Sequence, residues 1–249
     1  MNVQNEAVHS ITALNNWFIC NKLSLNLSKT CYMTFFANTA PHCNLILNGQ
    51  TIEKVNSCKY LGIIIDDELK WNLHIENIYK KLMKYTSIFY KLRDKLPDQM
   101  LREIYYAFIH SHVLYGVEIY ANTKPTYLDK LTKLNNKLLR ILQCKSITTP
   151  IRELYKSYNT LLITDLHKQQ LLLFVHKFIH HPELLPEIFI NNKFFTFNDE
   201  IHKHNTRIKS NIHLYQSTTS AGLRSVSHKA AALTLKRMTS FTAFSCFFS

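Results

Sequence analysis

Between residues 5 and 19 apolar side chains recur at Ala7, Ile11, Leu14 and Phe18, with Trp17 beside them, and this spacing predicts an amphipathic helix. The texture then shortens into "CYMTFF", "CNLILNG", "TIEKV" and "SCKYLGIIID", runs rich in β-branched and aromatic residues that predict strands. Asn48-Gly49 lies between the second and third runs, and both residues tolerate the left-handed backbone that a two-residue hairpin turn requires. Residues 1–70 therefore read as a small antiparallel sheet with a helix, expected to contain 31–36, 45–47 and 58–65 as strands.

From Trp71 onward the period lengthens. Ile75, Ile78, Tyr79, Leu82, Phe89 and Leu92 make one apolar stripe, while Lys80, Lys84 and Lys91 recur on another face, over a helix expected at 72–95. A second helix, 98–116, begins after Pro97 with Asp98 placed to cap its free N–H groups, and carries Leu101, Ile104, Tyr105, Phe108 and His112 inward. A third, 126–143, turns Leu128, Leu131, Leu134, Leu138 and Ile141 inward and Lys130, Lys133, Lys137 and Arg140 outward. The fold class is α+β: a β-containing front followed by an all-α bundle over about 71–215.

Composition agrees with a folded chain, since 46% of the 249 residues are hydrophobic and only 4 Gly and 6 Pro interrupt them. So few glycines exclude a glycine-rich phosphate loop. Charge changes the picture more. Lys and Arg outnumber Asp and Glu by 30 to 17, yet residues 1–70 hold five of each sign, so the whole net charge of +13 lies beyond residue 70. A neutral front and a basic remainder point to a polyanionic partner, nucleic acid first, against the alternative of a merely solvated basic surface.

Six cysteines (Cys20, Cys31, Cys43, Cys58, Cys144, Cys246) never form a C-x-x-C pair, and no secretory leader is read in the chain, so reduced thiols and an intracellular location, cytoplasm or nucleus, are expected. The longest apolar run, "LLLFVHKFI", is cut by His176 and Lys177 and falls short of the about 18 residues that span a bilayer. The histidine pairs His110/His112, His180/His181 and His202/His204 have spacings that do not share a helix face, so no metal site is expected.

Five phrases in series resemble the reverse transcriptases of non-LTR retrotransposons of the jockey-like, long-interspersed-element kind. They are "WFICNKLSLNLSKTCYMTFF" (17–36), "SCKYLGIIIDDELKWNLHI" (57–75), "KLRDKLPDQMLREIYYAFIHSHVLYG" (91–116), "TPIRELYKSYNTLLITDLHKQQLLLFVHKF" (149–178) and "IHKHNTR" (201–207). The resemblance implies an RNA-directed DNA polymerase whose palm edge is residues 1–70, whose thumb is 71–148, with a C-terminal helical region at 149–215 and a degenerate tail at 216–249. It implies that Lys29, in "LSKT", matches the lysine near the incoming triphosphate, where an ammonium stabilises the leaving pyrophosphate. It also implies that Tyr60, Leu61 and Gly62, in "CKYLG", match a primer grip, and that Lys80, Lys84, Lys91, Lys130, Lys133, Lys137 and Arg140 track a template–primer backbone with low sequence specificity.

Phosphoryl transfer by two metal ions needs carboxylates holding Mg²⁺ ions about 4 Å apart. In the family these precede the phrase matched by "NKLSLN", so the resemblance places them ahead of Met1 and implies a fragment that is inactive by itself and holds no cofactor. Asp66-Asp67, in "IIIDDELKW", follow the primer-grip phrase and are expected to end a strand and cap a turn instead. Near the other end, "GLRSVSHKAAALTLKRMTSFTAF" lacks the family's Leu-Trp-Asn-x-Leu-Pro phrase, which looks like an internal deletion. Two further functional classes stand beside a nucleic-acid-binding fragment: a relic of a decayed element with no biochemical role, and a basic helical interaction module unrelated to nucleic acid.

Overall fold

The computed structural model describes residues 3–35, 45–47, 49–192, 194–202, 209 and 211–238. Its contacts divide into two compact units, Met1–Lys70 and Trp71–Ser249.

The first unit opens with helix α1 (Val3–Cys20). Ala7 and Ile11 turn toward a small core of Leu45, Leu47 and Ile52, joined by Leu25, Leu27 and Tyr32. Leu14 and Trp17 do not follow them, remaining 47% and 57% exposed, whereas Asn15 is buried. The 7–11–15 ridge, spaced at i+4, is the one laid inward, and it leaves the flank carrying Leu14 and Trp17 outside.

The strands are β1 (Cys31–Tyr32), β2 (Ile46–Leu47), β3 (Gln50–Thr51), β4 (Glu53–Lys54), β5 (Ser57–Tyr60) and β6 (Ile63–Asp66). Among the described residues they form three separate two-stranded ladders in place of the expected single antiparallel sheet. β2–β3 and β5–β6 are antiparallel, but β1–β4 is parallel, pairing Cys31 with Glu53 and Tyr32 with Lys54. Connectivity explains the correction: β4 follows β3 after only Ile52, so the β2–β3 hairpin brings the chain back alongside β1 in its original direction. Ladders of two residues extend no further because hydrogen bonding along so short an edge is marginal. Leu47 pairs with Gln50 across a two-residue turn in which Gly49 has φ +76°, the conformation that a Cβ disfavours; Asn48, like residue 36, lies outside the described residues.

Among its described residues the second unit is mainly helical, with an isolated antiparallel bridge between Phe197 and Ile212. Helices α2 (Asn72–Met83) and α3 (Tyr85–Leu92) both pack on α7 (Pro125–Leu142), which begins with proline at its first turn, where no N–H is needed. Ile75, Ile78, Leu82 and Phe89 of the expected stripe are buried, as are Leu128, Leu131, Leu134, Leu138 and Ile141.

Between these lie α4 (Asp98–Ile104), a π-helical segment (Tyr105–His110), α5 (Ser111–Leu114) and α6 (Val117–Tyr120). Asp98 is the first residue of α4, and no side-chain cap is made there; Pro97 holds the cap position, and the Tyr158 hydroxyl donates to Asp98 Oδ1 at 3.4 Å. The wide π turn moves the inward face by one residue. Leu101, Tyr105, Ile109 and Val113 are buried, while Phe108, expected inside, is 46% exposed and His112 is only half-buried.

Beyond α7 come α8 (Ile151–Ser157), α9 (Ile163–His180), α10 (Glu187–Asn191), α11 (Asn198–Ile201), α12 (Ser220–Leu223) and α13 (Val226–Met238). Ala230 and Ala231 of α13 join Val175 of α9, Phe195 and Ile212 in a second apolar core. Small side chains let the two helices approach closely, and α13 is packed on α9.

Candidate nucleic-acid interface

The exposed side of α7 is set by its own periodicity. With leucines occupying the inward arc, Lys130, Lys133 and Lys137 fall on the opposite side at i, i+3 and i+7, and all three are exposed. Lys130 is the most constrained. Its Nζ donates to Glu76 Oε2 of α2 at 2.7 Å and sits 4.3 Å from the centre of the Tyr79 ring, so charge and cation–π attraction hold it across the α2–α7 seam. The Lys130 hydrogen bond holds the Glu76 carboxyl below its usual range, and Glu76 in turn raises Lys130. Lys80 also acts on Glu76 electrostatically, so α2 and α7 bring Lys80 and Lys130 to one carboxylate.

Among the described residues, Lys133 and Lys137 make no ion pair; Lys84 and Lys91 are likewise exposed, on the α2–α3 stretch. Arg140 departs from this set. Half-buried in the last turn of α7, it donates from Nη2 to the Thr149 carbonyl at 3.4 Å, while its Nε is enclosed, so the guanidinium ties the helix end to the loop before α8.

In the first unit, β5 and β6 form a hairpin whose two-residue turn is Leu61-Gly62, with φ of +46° and +89°. A pair of left-handed residues matches the twist of the flanking strands, but leucine bears a steric cost of about 1 to 2 kcal/mol there. Tyr60 and Leu61 are 63% and 73% exposed, so the tip presents an aromatic ring and an isobutyl group on a strained turn. Lys29 is exposed at the end of a short 3₁₀ turn (Leu27–Lys29) between α1 and β1, a turn fixed by Ser28 Oγ donating to Asn26 Oδ1 and Thr30 Oγ1 to the Asn26 carbonyl.

Asp66 is buried at the end of β6, and its Oδ1 accepts the Lys70 N–H at 2.8 Å, the turn-capping role expected of it. Among the described residues no three His, Cys, Asp or Glu side chains come together as a metal site, and no helix is long and apolar enough to cross a membrane.

The sequence pattern missed a buried polar network behind α7. Asn135 Nδ2 donates to Tyr155 Oη at 2.9 Å, Tyr155 Oη donates to Asn136 Oδ1 at 2.7 Å, and Tyr105 Oη donates to Asn135 Oδ1 at 3.4 Å. The Tyr106 hydroxyl reaches the carbonyls of Tyr158 and Asn159. These bonds seat α8 against α7 and the π segment, holding the helix that carries the exposed lysines. The signal for Asn135 was present, since it lies four residues after Leu131, on the inward arc.

No protein-family model and no solved structure matches this chain. Among curated proteins, it is similar to the RNA-directed DNA polymerase from mobile element jockey of Drosophila funebris, 27% identical over 134 residues, and to that of Drosophila melanogaster, 28% identical over 133 residues. Each match takes in 52% of this chain and 14% of the relative's length. The similarity supports a jockey-like non-LTR reverse-transcriptase region in the chain.

Proposed function

With a jockey-like reverse-transcriptase region as the premise, we propose that these residues are the template–primer-holding part of an RNA-directed DNA polymerase, binding nucleic acid and leaving the chemistry to carboxylates they do not contain. The observation that carries this reading is the exposed row Lys130, Lys133 and Lys137 on α7, with Lys80 of the adjoining α2 brought to the same seam. Ammonium groups at helical pitch suit a phosphate backbone, because each contact releases condensed counterions without reading a base. The second unit then acts as a thumb. The exposed, strained tip at Tyr60, Leu61 and Gly62 is the primer grip, offering flat apolar contact to a terminal nucleotide, and Lys29 serves the pyrophosphate side when a metal site is supplied. Arg140 holds the end of α7 and makes the weakest claim to a phosphate.

Binding of a labelled RNA–DNA hybrid by the full chain, followed by fluorescence anisotropy across a salt series, tests the proposal. Affinity should be independent of sequence, with log affinity falling by about 0.9 per log unit of salt for each phosphate contact. Changing Lys130, Lys133 and Lys137 together to Gln should weaken every sequence alike and flatten that slope by up to about three contacts, with circular dichroism unchanged. A folded chain that fails to bind at ~50 mM salt overturns the proposal and leaves the relic. Primer extension with Mg²⁺ should be absent; extension abolished by Asp66→Asn with Asp67→Asn would overturn the separation of binding from chemistry.

A further inference from the structure

A cavity of about 290 Å³ opens in the second unit between residues 194–196, residues 213–217 and the start of α13. The first two segments run antiparallel through the Phe197–Ile212 bridge, with the His213 N–H donating to the Thr196 carbonyl at 2.7 Å. Their pairing sets Tyr215 beside Thr196, whose Oγ1 donates to the Tyr215 hydroxyl at 3.0 Å. Phe194 and Phe195, with ring planes 85° apart, join Tyr215 as the aromatic part of the lining. Across from them, Ser225 Oγ accepts the His228 N–H at 3.2 Å, and this cap of α13 brings Ser225, Ser227 and His228 to the cavity. A Cβ on Gly222 would collide with Ser217 Oγ, so glycine leaves room for that hydroxyl in the wall.

The lining selects a chemistry. Among the described residues that form it there is no Lys, Arg, Asp or Glu, so a phosphate or carboxylate entering it would lose water without gaining a counter-charge. Its polar groups are directional instead. Thr196 uses the Tyr215 oxygen as an acceptor and leaves the Tyr215 O–H to donate elsewhere. His213 Nδ1 donates to Asn198 Oδ1 at 2.8 Å, which leaves Nε2 as the ring's other hydrogen-bonding atom. The Gln216 amide and the His228 ring make no hydrogen bond among the described residues. Aromatic rings with an amide, hydroxyls and imidazoles around them suit a flat, uncharged heterocycle that both stacks and hydrogen-bonds. The volume lies at the lower end of the about 300–1,000 Å³ of small-molecule sites, room for one ring system and little more.

We propose that this cavity takes one unpaired nucleobase of a single nucleic-acid strand, stacked on the Tyr215 ring. Tyr215 is 58% exposed, so a base reaches it from solvent without opening the core behind Phe195. The cavity itself is uncharged, yet from residue 201 to the end the chain contains seven Lys or Arg and no Asp or Glu. That excess draws the phosphates of a strand to this part of the protein, while the cavity admits the base. A duplex offers no such group, because pairing and stacking already occupy the edges and faces of its bases. This inference rests on the proposed function only in taking nucleic acid as the polymer; none of the residues lining the cavity lies on α7.

The test compares two labelled single strands of equal length and charge, an RNA oligomer and an abasic ribose-phosphate oligomer, by fluorescence anisotropy on the full chain. The RNA should bind about tenfold more tightly, as loss of one base–aromatic stack predicts. Tyr215→Ala removes the ring, and Ser227→Leu fills the cavity without taking away a wall; each should abolish that preference and leave abasic binding unchanged. Tyr215→Phe keeps the ring and should keep most of the preference, with melting temperature showing that each variant is folded. Equal binding of the two oligomers by the wild type, or a preference that survives both Tyr215→Ala and Ser227→Leu, overturns the proposal. Free adenosine, cytidine, guanosine and uridine form a second arm: a nucleoside held as tightly as the RNA would make the ligand a free nucleoside and overturn the strand. The triple α7 variant separates the two readings. A base preference that persists in it while hybrid binding is lost supports both; hybrid binding lost in it with no base preference in any chain leaves the proposed function and removes the cavity.

Discussion

His74 shows at the residue scale how burial, and not the side chain's intrinsic chemistry, sets behaviour in this protein. It is 3% exposed on the inward face of α2, its ring edge-on to Tyr120 at 5.1 Å, and burial first and Lys81 second lower it to about 4. His167 and His110 shift the same way, again through burial. An unfolded imidazole titrates near 6.5, so between about 6.5 and 4 the unfolded chain takes up protons that the folded chain refuses. Stability is therefore complete above about pH 6.5 and declines as pH falls toward 4. Melting temperature measured across that window should drop steadily, and His74→Phe should flatten the drop while His167 and His110 sustain what remains. A His74→Phe chain with the full wild-type pH dependence would show that this ring does not contribute.

At the element scale the decisive feature is the π segment between α4 and α5. An uninterrupted α-helix carrying Leu101 and Tyr105 inward would bring in Phe108 and His112 next; one wider turn substitutes Ile109 and Val113. The two arrangements differ in which side chain can be lost. Ile109→Ala should cost about 2 to 5 kcal/mol, as removal of a fully enclosed aliphatic does, while Phe108→Ala should cost less than about 1 kcal/mol despite deleting the larger group. Urea unfolding followed by circular dichroism separates them, and a reversed order would return the segment to regular α geometry. The same element carries Tyr105 and Tyr106 into the network around α7 and α8, so the shift of face also fixes where the lysine-bearing helix sits.

Over the whole molecule, the two units differ in how much apolar surface they enclose. The first relies on Leu45, Leu47 and Ile52 with half-buried neighbours and ladders of two to four residues, while the second buries half of the side chains of α7 and the faces packed on it. Opening free energy follows the number of enclosed contacts. Hydrogen exchange read by mass spectrometry should find the amides of β1 to β4 exchanging well before those of α7. Equal protection in both would mean that the first unit draws stability from contacts beyond its own small core. The uneven charge follows the same division, since the neutral first unit and the basic second unit differ in what they can attract.

Periodicity was enough to read α7 and the apolar stripe of α2 and α3, though the single helix expected over 72–95 is divided at Lys84 and ends at Leu92, because a long amphipathic helix repeats its instruction every three or four residues and each repeat agrees with the last. The basic face of α7 was legible for the same reason; residues 58–65 were legible only as strand, and the structure folds them into a hairpin that reverses at Leu61-Gly62. The short ladders were not: two residues carry too little pattern to state a partner, and the parallel β1–β4 pairing follows from the route of the chain around a hairpin. Nor could the sequence say that α1 leaves Trp17 outside and takes Asn15 in, since an apolar stripe gives a face but not what covers it. Resemblance named the tip at Tyr60 and Leu61, and only the backbone put leucine in a left-handed turn. Tertiary packing alone decided the one-residue rotation after Tyr105 and the Asn135–Tyr155 bonds. Each of these depends on groups distant in the chain arriving at one place, and local sequence carries no record of such an arrival.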